Sequence, residues 1–248
     1  MVQLKNRHDL DGIRTSCRLL GELHAQLAKL VQPGMTTKEI DAFIHNFIID
    51  NKGTPAFLGY MGFPASSCIS VNEEIIHGIP GKRVITSKDI ISIDIGIDLH
   101  GYYSDAAQTL CMEGVDPEIQ KMVDVTRESL YLGIKEAVPG KRVSHIGRAI
   151  SKHVRDYGYG VVKEYCGHGV GFAPHEDPQI PNYPSTTSNQ RLRNGMVLAI
   201  EPMINMGTSG IKHLDDNWTV VTADGKPSAH WEHTIAIIED RVEILTEW

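Results

Sequence analysis

A helix, a Pro-Gly break, a second helix and then strand-like texture occur twice along this chain. Val138-Pro139-Gly140 followed by Ile146 and Ile150 matches Gln32-Pro33-Gly34 followed by Ile40 and Ile44 at a constant offset of 106 residues. Two copies at so long a period cannot stack as a solenoid, which needs several short units. They point instead to two similar α+β halves packed about a pseudo-twofold axis. A common way of linking helices would give the same match without symmetry, so the twofold stands as an expectation. With 248 residues, 41% of them hydrophobic, the chain can bury one substantial core unaided. One domain over 1–248 is expected, with halves of about 1–112 and 113–248.

The elements follow from periodicity. Leu10, Ile13, Cys17, Leu20, Leu23, Leu27 and Leu30 recur every three or four residues, which predicts an amphipathic helix from about Asn6 to Val31. Thr36-Thr37-Lys38-Glu39 offers a capping box for a second helix that stops at Lys52-Gly53. β-branched texture runs from Ser67 to Leu110, clearest in Ile90–Asp98, with a turn near His100-Gly101. Asp116-Pro117 starts a third helix reaching about Val138, and Ser144 is expected to cap a fourth. Strands close the second half near 161–165, 196–200, 218–222 and 233–238.

Charge and cysteine usage exclude several classes. Acids outnumber bases 31 to 24, giving a net charge of −7 with no Lys/Arg block, which argues against a nucleic-acid or anionic-membrane partner. The four cysteines, at 17, 68, 111 and 166, include no C-x-x-C pair, so neither a disulfide scaffold nor a zinc ribbon is read from them. Charge among residues 1–7 does not fit a signal peptide, and no run reaches the ~18 apolar residues of a spanning helix. A cytoplasmic protein is the expectation.

Three acids stand where acids are costly. Asp94 lies mid-strand among isoleucines, Glu201 ends the apolar run Met196–Ile200, and Glu232 precedes Thr234–Ile238. An unpaired buried carboxylate costs several kcal/mol, so each needs a cation, a hydrogen-bond network or a proton. Asp94 and Asp105 are symmetric about Leu99-His100, so in an antiparallel hairpin turning there they would face each other. Divalent cations would remove that repulsion. Four acids and one neutral histidine carry four negative charges, which two divalent ions would balance, and an oxygen-rich set of this kind favours Mn²⁺, Fe²⁺ or Co²⁺ over a thiolate zinc.

The candidate imidazole is His168, in Cys166-Gly167-His168-Gly169-Val170-Gly171, where the flanking glycines would let backbone approach a metal or ligand closely. His175 and His77 are further candidates. Their surroundings contain no H-E-x-x-H, no G-x-S-x-G and no P-loop, so zincin, serine-hydrolase and nucleotide-binding readings fail.

Asn72-Glu73 with His77-Gly78-Ile79-Pro80, Ile93-Asp94, Tyr103-Ser104-Asp105, Gly167–Gly171, His175-Glu176, Ile200–Met203 and Glu232-His233-Thr234 occur in an order that resembles the type I methionine aminopeptidases of bacterial type. The resemblance spans essentially the whole chain. It implies the pita-bread fold, two pseudo-symmetric halves with antiparallel sheet and outer helices around a dinuclear metal site. It implies Asp94, Asp105, His168, Glu201 and Glu232 as metal ligands, Asp105 and Glu232 bridging two divalent ions (Co, Mn, Fe or Zn). His77, His175 and Glu201 take catalytic roles by the same resemblance. The implied activity is removal of the N-terminal methionine from new polypeptides by a metal-activated hydroxide, with a small second residue preferred. The implied partners are peptide substrates, including nascent chains near the ribosome, met by a monomer.

The resemblance also implies a methionine pocket walled by Phe57, Tyr60, Phe63, Cys68, Pro174 and Trp218, together with His77 and His175. Here the chain departs from its relatives: Phe57 stands where many carry Cys, Phe63 where Tyr is common, and Pro174 where an aromatic precedes the histidine. Either these positions have drifted, or Phe57 refills space left at Pro174. Two rivals share the fold. A proline-specific peptidase usually carries an additional N-terminal domain, and Asp94 arrives too early for one. A metal-free binding relative would lose ligands, and all five positions are filled.

Overall fold

The computed structural model describes residues 2–186 and 189–248; Met1, Thr187 and Ser188 lie outside them. In chain order the elements are α1 (Arg7–Leu30), α2 (Thr37–Asp50), β1 (Thr54–Pro55), β2 (Cys68–Val71), β3 (Glu74–Ile76), β4 (Ile90–Leu99), β5 (Tyr102–Cys111), α3 (Pro117–Lys135) and α4 (Val143–Asp156). Then follow β6 (Gly160–Val161), β7 (Gly167–Gly169), β8 (Glu176–Ile180), β9 (Val197–Ile200), β10 (Met203–Asn205), β11 (Ile211–His213), β12 (Val220–Thr222), β13 (Ser228–His230), β14 (Glu232–Ile238) and β15 (Arg241–Ile244).

The helices begin where side chains can satisfy their first amides. Asn6 accepts from the backbone of His8 and Asp9 ahead of α1, and Thr36 with Glu39 closes the expected capping box ahead of α2. Asp116 and Pro117 start α3 as expected, though it ends at Lys135. Ser144 does not cap α4. The N-cap is Arg142, so the helix starts two residues earlier than a Ser144 cap would allow, at Val143, and the Arg142 amide donates to His145 Nδ1 (3.2 Å). Ile40, Ile44 and Ile48 are fully buried on one stripe of α2, each stabilising the fold by roughly 1.5–3 kcal/mol.

Each half puts its two helices against one part of a shared sheet. α1 and α2 pack with the isoleucines of β4 (Ile91, Ile93, Ile95, Ile97) and with β2. α3 and α4 pack with Leu198, Ile200, Ile235 and Ile237 of β9 and β14. The nine-stranded sheet runs β1-β4-β5-β14-β9-β7-β8, with β2 also on β4 and β15 also on β14; β13-β10-β6 and β11-β12-β3 form two three-stranded sheets. No helix among the described residues is long and apolar enough to cross a membrane.

The β4–β5 hairpin corrects one expectation. Its two-residue turn is His100-Gly101, both with positive φ (57° and 86°), the form that matches strand twist. Leu99 therefore pairs with Tyr102, which sets Asp94 opposite Ala107 and Asp105 opposite Gly96. The two aspartates are diagonal neighbours on one face, not a directly opposed pair. Strand limits in the second half also shift. The strand expected at 161–165 is only Gly160–Val161, paired to a three-residue partner. The one expected from Trp218 starts at Val220, since Asp216 folds the preceding residues into a turn by accepting from Trp218 and Thr219.

Candidate active site

Five adjacent strands, β4-β5-β14-β9-β7, each bring one candidate ligand to the same place. Asp94 comes from β4, Asp105 from β5, Glu232 from the first position of β14, Glu201 from the residue after β9, and His168 from the middle of β7. Asp94 and Glu232 both pair with Ala107 of β5, one from each side. Asp105, His168 and Glu232 offer ligand atoms all within 4.8 Å of one another. His168 Nε2 lies 3.5 Å from Glu201 Oε1 and 3.9 Å from Asp105 Oδ2.

The backbone around these residues explains their precision. His168 Nδ1 donates to the Gly169 carbonyl (3.0 Å), which leaves Nε2 facing the carboxylates. The glycines on either side serve strand packing rather than ligand approach. A Cβ at Gly167 would lie 2.3 Å from the Ala199 carbonyl oxygen, and one at Gly169 would lie 2.3 Å from that of Asp177. Asp105 is held through Thr234, whose hydroxyl donates to the Asp105 carbonyl (2.7 Å) and accepts from its amide (3.2 Å).

Electrostatically the cluster is unbalanced. Among the described residues no Lys or Arg lines this cavity, and Asp94 Oδ1, Asp105 Oδ1 and Glu232 Oε1 are buried without a hydrogen-bond partner there. Burial pushes Asp94 up to about 7 and Glu201 up to about 8. It holds Asp105 and Glu232 well above the usual carboxylate range, with neighbouring acids adding to the effect. Burial lowers His168 to about 3, so its ring is the neutral form that binds metals. Buried, unneutralised oxygen donors beside one neutral imidazole fit hard or borderline divalent ions.

Above this floor lies a cavity of about 380 Å³ whose walls include Phe57, Tyr60, Phe63, Cys68, His77, His175 and Trp218. Cys68 pairs directly with Asp94 across β2 and β4, so the apolar wall begins beside the acids. Burial, then the nearby Asp94 and Asp105, raise its thiol well above the usual range and keep it protonated. Phe63 meets Trp218 edge-on (5.1 Å between centroids), and Tyr60 stacks on His175 (5.4 Å). His77 has a positive φ of 59°, and Gly78 beside it packs so tightly on β2 that a Cβ would lie 2.3 Å from the Ile69 carbonyl oxygen. That geometry turns the His77 ring inward, where burial lowers its pKa to about 4. His175 sits on the rim, 4.3 Å from the His168 ring, and partial burial lowers it as well.

Pro174 does not line the cavity, which corrects its place in the expected pocket. Space for Phe57 is made elsewhere. Its ring lies over Gly96 of β4, where a Cβ would stand 2.7 Å from the Phe57 Cε1. The structure adds lining residues that the sequence reading missed, among them Met61, Tyr165, Gln179 and His230. His230 is buried, with Nε2 3.4 Å from Glu201 Oε2 and not aligned for a hydrogen bond. Its signal was its place two residues before Glu232, which puts it on the same side of an extended chain. Met61 was marked by Gly59 and Gly62, the flexible flanks of a residue that itself has φ 49°.

Metallopeptidase family M24 matches residues 11–239 of this sequence. The chain belongs to that family, and its fold is the pita-bread fold. It is 50% identical over 246 residues to methionine aminopeptidase 1 of Bacillus subtilis, covering 99% of each chain. It is 48% identical over 248 residues to the methionine aminopeptidase of Treponema pallidum, covering 100% of this chain and 97% of that one. The crystal structure of methionine aminopeptidase from Thermotoga maritima superposes with a TM-score of 0.97 at 38% identity over 100% of both chains. A prolidase from Pyrococcus furiosus has a TM-score of 0.78 at 20% identity, with this chain spanning 65% of its length, and shares the fold. The motif resemblance thus extends along the whole chain.

Proposed function

We propose that residues 1–248 act as one catalytic domain that removes the N-terminal methionine from peptides and newly made polypeptides, with a small second residue preferred. The observation that carries this reading is the line of four acids and one neutral histidine from five adjacent strands, placed under an apolar, aromatic-walled cavity. Asp94, Asp105, His168, Glu201 and Glu232 would hold two divalent metal ions, whose charge would balance the four carboxylates. Bound metal supplies a Lewis acid for the scissile carbonyl and lowers the pKa of the attacking water.

The rest is done by side chains of this chain. Glu201 takes the proton of the attacking water and carries it towards the peptide nitrogen. His175, neutral and at the rim, donates a hydrogen bond to the oxyanion as the carbonyl becomes tetrahedral. His77 faces the nitrogen side of the bond. Phe57, Tyr60, Phe63, Cys68 and Trp218 enclose the methionine side chain. The enzyme works as a cytoplasmic monomer on free peptides and on chains leaving the ribosome.

A peptide-release assay tests this reading. Met-Ala-Ser and a Xaa-Pro peptide are offered to chelated protein and to protein reloaded with Mn²⁺, Fe²⁺, Co²⁺ or Zn²⁺. Methionine release that disappears on chelation and returns with metal is the expected result. Turnover in metal-free protein, or preferential cleavage of the Xaa-Pro peptide, overturns it.

A further inference from the structure

We propose that Lys5 and Glu176 form a buried positioning device that holds the loop carrying His175. The inference rests on the rim role of His175 proposed above. Glu176 opens β8 directly after His175, and adjacent residues of an extended chain project to opposite sides. His175 therefore faces the cavity while Glu176 faces away from it, into the body of the protein. There the carboxylate gathers the loop around itself. Its Oε1 accepts from the amides of Phe172 (2.6 Å) and Ala173 (3.3 Å), and its Oε2 accepts from Lys5 Nζ.

The ion pair is almost sealed from water, with the Lys5 side chain 1% exposed and that of Glu176 3%. A lysine in the segment ahead of α1 is ordinarily solvated, and burying it is costly unless it is paired. Here its passage is built by two glycines. A Cβ at Gly171 would stand 2.8 Å from Lys5 Cε, and one at Gly195 would stand 2.9 Å from the Lys5 carbonyl oxygen. The Lys5 amide donates to the Gly195 carbonyl (2.7 Å), its Nζ reaches the Gln3 carbonyl (3.3 Å), and the same ammonium lies 4.7 Å from the centre of the Phe172 ring. The segment before α1 thus grips the loop by charge, by ring contact and by backbone. None of these groups lines the cavity, so Lys5 and Glu176 act through His175 and are positioning residues.

A double-mutant cycle with Lys5→Met and Glu176→Gln, run in metal-loaded protein, tests the device. Each single variant should lower kcat about 10- to 100-fold, as a displaced catalytic group does, with KM changed less than about threefold. Mn²⁺ affinity of the apoprotein, measured by calorimetry, should stay within about threefold. The double variant should be no worse than the poorer single one, and Lys5→Arg should restore most of the rate. A purely structural pair would not show the next effect: in a His175→Ala background, Lys5→Met should cause no further loss of kcat. The ring resonances of His175 in the apoprotein should shift or broaden in Lys5→Met and not in Lys5→Arg. If Lys5→Met does not fold, Glu176→Gln makes the same comparison, because its amide oxygen still serves Phe172 and Ala173. Unchanged kcat and His175 resonances in folded single variants, or an equal loss with and without His175, overturn the inference. If His175→Ala alone leaves kcat intact, the catalytic assignment of His175 fails, and the resonances still decide whether the pair positions that ring.

Discussion

The cavity has a floor made of strands and a rim made largely of loops, and the two are held in place by different forces. On the floor, sheet register and backbone bonds set each carboxylate before any ligand arrives, as with Asp105 clasped by Thr234. On the rim, Tyr60 and Met61 lie in a short turn between Gly59 and Gly62, and Met61 is 81% exposed. A floor fixed by the sheet stores electrostatic repulsion that a cation can relieve. A rim built of apolar surface offers only contact area. Changes to the floor should therefore be nearly all-or-none and tied to metal, while changes to the rim should be graded and tied to side-chain shape.

The largest effect should come from deleting an acid. Asp105→Ala or Glu232→Ala removes a proposed ligand and leaves the remaining buried acids unneutralised. Both metal content and methionine release should be lost together, measured by elemental analysis and by the peptide assay. A variant that keeps two metals and full rate would end the distinction between floor and rim.

The second effect is on the rim. Replacing the substrate's first methionine by alanine removes the chain beyond Cβ, and at ~0.8 kcal/mol per buried methylene-sized group this costs about 2–3 kcal/mol, or roughly 30- to 200-fold in kcat/KM. Norleucine, nearly the same shape, should be accepted with a far smaller loss. Equal penalties for alanine and norleucine would mean that sulfur is recognised specifically and that the rim is more than contact area.

How much of each region could be read from the sequence follows from the same contrast. Asp94 stood out because an acid inside a run of isoleucines breaks a period that is otherwise clear over a ten-residue strand, and Asp105 because it mirrors Asp94 about the expected turn. Their offset was misjudged by one pairing step, since the turn position decides register and it lay at His100-Gly101, one residue beyond the assumed centre. Ser144 failed as a cap because a backbone bond to His145 begins α4 earlier, a competition that propensity does not report. On the rim little was legible from periodicity. Pro174 was assigned by resemblance and lies outside the cavity, whereas Met61 and His230 line it.

The third effect is on pH. In metal-free protein the folded pKa values of Asp94 (about 7) and Glu201 (about 8) lie above their ordinary values of 3.8 and 4.5. A raised folded pKa gives stability that is complete below the unfolded value and is lost as pH rises through the folded one, so these two acids should cost metal-free protein stability progressively from about pH 4 to about pH 8. The buried histidines act in the other direction. His24 and His168 (both about 3) and His77 and His233 (both about 4) titrate below their ordinary 6.5, so they cost stability as pH falls below 6.5. Below pH 6.5 the two groups oppose each other, so thermal melts of chelated protein should fall most clearly between pH 6.5 and 8, where the acids act alone. Metal displaces protons from the carboxylates, so its affinity should rise about tenfold or more per pH unit from 6 to 8. A pH-independent affinity would show that the floor is ionised before metal arrives.

The smallest effect separates two accounts of Phe57. Its ring sits over Gly96 and packs with Phe63, Cys68 and Trp218, while Pro174 stands outside this group. Compensation should thus be found with Gly96 and not with Pro174. Phe57→Cys should enlarge the pocket and weaken discrimination of methionine from alanine by a few-fold, about 1 kcal/mol, as expected where neighbours partly close the space. Gly96→Ala alone should be harmful, because the added carbon meets the ring. In the Phe57→Cys background the same substitution should be milder, because the ring atoms at 2.7 and 3.1 Å are gone while the Ala56 Cβ at 3.0 Å stays. Pro174→Phe should add independently to Phe57→Cys. The measurement is kcat/KM for Met, norleucine and Ala substrates across these singles and doubles. Coupling between 57 and 174 with none between 57 and 96 would restore the volume exchange first suggested by the sequence, and would mean that the rim repacks around its substrate.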